Sequence, residues 1–212
     1  EIPIFGSSRA KTNFCSSLIN KNIFNYGIDG IGSKVWLFFL EKELEKQKNK
    51  PILINFDLDG FRNYIGDKSN YLLDYSTFKL FENNHFIYRI SLIRNFGYYQ
   101  SYFTDFLKYK FPLNNIIDRG GVHSNLEFDL QNFNLNLKKR TLENDYFQTD
   151  STQLNNFYSL IKSTTRTIYL VISPYHVSAL NNFSNLRDAD IFLENIDQLD
   201  NLIVLDFRDL DF

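Results

Sequence analysis

The sequence predicts an α/β protein: a mainly parallel sheet of five strands, with one long insertion in the chain. Three observations carry this. Short apolar runs bounded by turn residues recur along the chain. Amphipathic stretches with helical spacing separate the first three runs and the last two. The run "PILINF" is apolar on both faces, as a central parallel strand is when helices cover both sides.

Taken in order, "IPIF" reads as a buried strand that ends at Gly6. A short helix is expected over 10–20, with Phe14, Leu18 and Ile19 on one face. "NIFNYG" is a second strand, stopped by Gly27. "GIGSKVWLFFLEKELEKQKNK" then opens a helix. Trp36, Leu37, Leu40 and Leu44 recur at three- and four-residue steps, Lys and Glu fill the other face, and the Lys-rich end suits a helix C-terminus. Pro51 stops that helix, and "PILINFDLDG" is the third strand. Strand, helix, strand, helix and strand within residues 1–57 require right-handed crossovers and a parallel sheet.

The alternation breaks down over 61–150, which reads as an insertion rich in Asn, Phe and Tyr. Within it "NFGYYQSYFTDFLKYKF" has a helical look and "DRGGVHSN" reads as a turn. "LEFDLQNFNLNL" alternates at period two and is expected to form a strand or hairpin. Order returns at Ser151. "STQLNNFYSLIKSTTR" is an amphipathic helix with a Ser/Thr start, "TIYLVISP" a strand closed by Pro174, "NLRDADIFLENIDQL" a helix, and "NLIVLDF" the last strand.

A chain of 212 residues with 43% hydrophobic residues can bury the core of one domain. Its formal net charge of −2 argues against a protein that coats nucleic acid, which needs clustered Lys and Arg. A single cysteine, Cys15, excludes an internal disulfide and a cysteine-built zinc site. The chain has no methionine, so the start at Glu1 reads as a trimmed boundary: either a targeting segment or membrane anchor lies upstream, or the chain was simply cut there. The longest apolar run, "VWLFFL", is far short of the ~18 residues of a membrane span.

Chemistry-bearing residues gather at the expected strand ends, where open parallel sheets bind ligands. Ser7, Ser8 and Arg9 follow strand one; either serine can cap a helix or stand at the mouth of a crevice. Gly27, Gly30 and Gly32 follow strand two, in a loop that can turn tightly or present N–H groups to an oxyanion. Asp57 and Asp59 close strand three; two residues apart, they face the same way and can bind a metal, polarise a neighbour, or be solvated turn residues. His176 lies just past strand four, where a base can sit. His85 and His123 fall in the insertion, with no metal-site spacing.

Together these pieces resemble the SGNH (GDSL-like) hydrolase superfamily, in particular its bacterial branch with a Gly-Ser-Ser-Arg first block. The resemblance covers the first 60 residues best, and again 166–209. It implies a flavodoxin-like three-layer α/β/α sandwich, Ser8 as nucleophile, Ser7 in the place of the family's Asp, and a second block in which Asn25 precedes Gly30, an oxyanion-hole donor. Two departures stand out. Where the third block has an oxyanion Asn, this chain reads Asp57-Leu58-Asp59. The Asp-x-x-His block expected after the last strand does not occur before Phe212. Either that block lies further on, or the chain is a non-catalytic relative, or His176 substitutes as the base. The function expected is a serine-dependent esterase or O-acyltransferase acting on small acyl esters, in particular acetyl esters, of cell-envelope carbohydrate. The alternative is a binding or assembly protein of the cell envelope that keeps the fold without catalysis. No cofactor and no metal are expected, the partner is an acylated small molecule or glycan, and the expected location is extracytoplasmic or envelope-associated, with the cytoplasm as the other option.

Overall fold

The computed structural model describes residues 1–19, 22–28, 32–46, 48–58, 61, 115–118, 121–124, 129–141, 150–182 and 186–208. In chain order their elements are β1 (Ile2–Phe5), α1 (Ser8–Asn13), α2 (Ser16–Ile19), β2 (Ile23–Asn25), α3 (Ser33–Leu44), β3 (Ile52–Asn55), β4 (Asn115–Asp118) and β5 (Gly121–Ser124). Then come α4 (Leu130–Thr141), α5 (Ser151–Lys162), β6 (Ile168–Ile172), α6 (Val177–Leu180), α7 (Leu186–Ile196) and β7 (Leu202–Asp206).

Five strands form one parallel sheet in the order β2-β1-β3-β6-β7. This is the flavodoxin-like arrangement. The chain steps outward from β1 to β2, then returns to lay β3 on the other side of β1. The topological switch point is therefore the crevice between β1 and β3, at their carboxyl ends, the edge that carries Ser7, Ser8, Arg9 and Asp57.

Register sorts the strand side chains onto two faces. Phe5, Ile54, Leu170 and Val204 align across the sheet on one face; Ile4, Leu53, Tyr169 and Ile203 align on the other. On the first face α3, α5 and α7 bury Trp36 and Leu40, Phe157 and Ile161, and Leu193 and Ile196 against Ile52, Ile54, Ile168 and Leu170. Each fully buried Leu, Ile or Phe contributes about 1.5–3 kcal/mol. On the second face Ala10 of α1 and Phe14 pack with Ile4, Ile23 and Val171. Sheet and two helical layers make the three-layer sandwich. Among the described residues no helix is long and apolar enough to cross a membrane.

Several expected elements differ in detail. The helix over 10–20 is two short ones. Ser7 caps α1, which starts at Ser8, and Phe14 turns extended to bury its ring beneath the sheet. Leu18 and Ile19 then lie on a separate turn and are 84% and 49% exposed, not core. The strand or hairpin expected from "LEFDLQNFNLNL" is instead helix α4. Asp129 caps it, accepting from the Asn132 backbone N–H, and Phe133 and Leu137, four residues apart, share the half-buried face. The turn expected in "DRGGVHSN" falls where β4 and β5 pair antiparallel, Asp118 opposite Gly121. α5 starts as expected, but its cap is Asp150, which accepts from Thr152 and Gln153 N–H. The helix expected in "NFGYYQSYFTDFLKYKF" lies outside the described residues.

Candidate active site

Gly6 makes the turn from β1 into α1. Its φ of +144° disfavours any side chain, and a Cβ there would lie 2.8 Å from Ala10 Cβ and 3.0 Å from the Asn55 carbonyl. The backbone thus passes tightly beside the end of β3 and delivers Ser7 and Ser8 to the switch point. Ser7 is the N-cap, accepting from Arg9 N–H at 3.4 Å. Its hydroxyl also donates to Asp57 Oδ2 across the crevice. Ser8, the first helical residue, is half-buried, and its hydroxyl donates no hydrogen bond to any described residue.

Asp57, 4% exposed, is the hub. Asn55 Nδ2 donates to its Oδ1 at 2.7 Å. Ser173 donates to Asn55 Oδ1 at 2.6 Å, and Asn13 Nδ2 donates to Ser173 at 3.2 Å. Arg9 Nη1 stands 3.7 Å from Asp57 Oδ1, while its guanidinium lies 3.9 Å over the Tyr175 ring. The Tyr175 hydroxyl accepts from Leu58 N–H at 2.9 Å. Among the described residues the buried carboxylate is thus compensated by the Arg9 cation and by the Ser7 and Asn55 side-chain donors, as a buried charge must be. The chain of bonds ties the carboxyl ends of β1, β3 and β6 into one polar floor beside Ser8.

β2 supports the same edge. Buried Asn25 donates through Nδ2 to the Ala10 carbonyl at 2.6 Å, satisfying a helix-end acceptor, and accepts from Gly27 N–H at 2.8 Å. Gly27 packs so closely on α1 that a Cβ would lie 2.4 Å from Lys11 N. Among the described residues Gly27 thus holds the β2 loop against α1. Gly30 and Asp59 lie outside the described residues.

His176 is on the same edge, after β6, as the exposed N-cap of α6. Its Nδ1 accepts from Ser178 N–H at 3.2 Å, and its ring centroid lies 4.9 Å from that of Phe133. Ser8 makes no hydrogen bond to it. β5, which carries His123, runs beside α1. No group of three His, Cys, Asp or Glu among the described residues is placed to hold a metal.

Ser7, Ser8, Arg9, Asn25 and Asp57 therefore converge, with His176 on the rim. Sequence reasoning missed Asn55, Ser173, Tyr175 and Asn13. The signal for Asn55 was present: a lone amide at the end of an apolar strand, two residues before Asp57 and so on the same face. Ser173 follows from the register, because Val171 pairs with Asn55 and Ser173 is two residues further on. Compared with models of protein families and with curated proteins, the chain matches none of them.

Proposed function

We propose that this chain is a serine-dependent esterase or O-acyltransferase, with Ser8 as the nucleophile and small acyl esters of envelope carbohydrate as substrates. The observation that carries the reading is the contrast between the two serines. Ser7 is committed to Asp57 and to capping α1, whereas the hydroxyl of Ser8, at the switch point, donates to no described group. In this reading a histidine takes the Ser8 proton as the oxygen attacks the ester carbonyl. The tetrahedral oxyanion is held by backbone N–H groups, Ser8 and Gly30 being those the resemblance points to, each worth about 3 kcal/mol. Collapse expels the alcohol, which takes up the proton from the histidine. Water then releases the acid, or a sugar hydroxyl accepts the acyl group.

The competing reading is a binding protein on the same fold. It is favoured by the absence of a hydrogen bond between Ser8 and His176, whose Nδ1 is occupied by Ser178 N–H. Turnover of p-nitrophenyl acetate by wild type, Ser8→Ala, His123→Ala and His176→Ala separates the two. The esterase reading expects Ser8→Ala to lose at least about a hundredfold in kcat/KM, and His176→Ala to follow it if His176 serves as the base. Equal slow turnover by all four supports the binding protein.

A further inference from the structure

β7 is an edge strand, pairing among the described residues with β6 alone. Edge strands present a free row of N–H and C=O groups, and proteins usually blunt them with Lys, Pro or a bulge. β7 reads Leu202-Ile203-Val204-Leu205-Asp206, with neither Lys nor Pro.

Its two faces differ. On one, Ile203 and Leu205 are 42% and 37% exposed, and Phe207, next in line, is 37% exposed. The other borders a groove of about 550 Å³ running between β7 and α7. Val204, Leu186 and Leu193 form its apolar floor, and Asp190, Glu194, Asp197 and Asp206 its rim. Arg208 bridges Asp190 at 2.6 Å and Asp206 at 2.7 Å. One guanidinium against four carboxylates leaves three negative charges in excess.

We propose that β7 is the docking edge for an extended basic segment of a partner protein, added to the sheet as a further strand. Alternation along that strand places its apolar side chains over Ile203 and Leu205 and its Lys or Arg side chains over the acidic groove. Main-chain bonds supply affinity, and the difference between the faces sets the register. The same charges argue against a second copy of this chain. Antiparallel pairing of β7 with itself needs a two-fold axis perpendicular to the sheet, which brings two negatively charged grooves side by side.

The test is fluorescence anisotropy with a labelled peptide, Lys-Val-Lys-Ile-Lys-Val-Lys, titrated with the chain at about 0.15 M salt. The expected result is saturable binding that weakens at least about tenfold in each of three cases. These are a peptide with its central Ile replaced by Pro, which cannot pair as a strand; the variant Ile203→Lys with Leu205→Lys; and the variant Glu194→Lys with Asp197→Lys. All four substituted side chains are exposed, so unchanged circular dichroism confirms that the variants are folded. The proposal is overturned if no saturable binding occurs or if the Pro peptide binds within about twofold of the parent. It is also overturned if light scattering shows a wild-type dimer that Ile203→Lys with Leu205→Lys makes monomeric.

Discussion

Replacing Asp57 probes the hub of the site. Asp57→Ala removes a buried carboxylate that accepts from Ser7 and Asn55 and stands 3.7 Å from Arg9. Each lost hydrogen bond to a charged acceptor is worth about 1.5–3 kcal/mol. The Arg9 pair adds at most about 1 kcal/mol, because the Arg9 side chain is 31% exposed and water screens it. Ser7 can turn toward solvent, so the lower part of the range applies, and the total is about 4 kcal/mol. Asp57→Asn keeps the shape. Its amide oxygen can still accept from Asn55, and its NH2 can donate to Ser7, whose hydroxyl reverses from donor to acceptor. Only the charge is lost, about 1–2 kcal/mol. Urea unfolding followed by circular dichroism measures both. With a slope of about 3 kcal/mol/M, Ala lowers the midpoint by about 1.3 M and Asn by about 0.5 M. Equal losses for Ala and Asn, or an Ala loss below about 0.5 kcal/mol, would refute the hub.

Gly27→Ala forces a Cβ to within 2.4 Å of a backbone nitrogen in α1 and is expected to cost about 3 kcal/mol. In a chain of this size that is a fall in Tm of about 6–12 °C by calorimetry, and an unchanged Tm would contradict the close packing. Glu43 is buried beneath Lys46 at 2.8 Å, Lys48 at 3.0 Å and Arg166 at 3.4 Å. Burial pushes its carboxyl up, but the hydrogen bonds from Lys46 and Lys48 outweigh this and hold it below the ordinary value. Its stabilisation is therefore present above the unfolded value of about 4.3 and fades as pH falls through the lower folded value. Glu43→Gln should cost about 2–3 kcal/mol at neutral pH, chiefly by leaving buried Arg166 uncompensated. Urea titrations should show that gap narrow at acid pH, and a gap independent of pH would contradict this.

The helices and main-sheet strands were legible where one period dominated. Trp36, Leu37 and Leu40 are buried on α3 as their spacing requires, and Ile52 and Ile54 are central as a run apolar on both faces requires. α4 was misread because Phe133, Leu135 and Leu137 alternate at period two while 133 and 137 also fit a helix face. Asp129 as a cap was the deciding signal, and in the alternating reading it passes as one more polar position, between Phe128 and Leu130. At the site, Ser7, Ser8 and Asp57 stood out as polar residues at strand ends. That Asp57 engages Ser7, and not Ser8, depends on the angle at which β1 enters α1, which Gly6 sets and no periodicity reveals. Ser173 and Tyr175 are more than a hundred residues from Asn55 and Leu58 in sequence, and only strand register brings them together.

The measurement that bears most directly on the esterase reading is reaction with a fluorophosphonate probe, followed by peptide mapping of the adduct. The account predicts one adduct, on Ser8, lost in Ser8→Ala and retained in Ser7→Ala. An unlabelled wild-type chain, or an adduct that maps to Ser7 or survives Ser8→Ala, would contradict it.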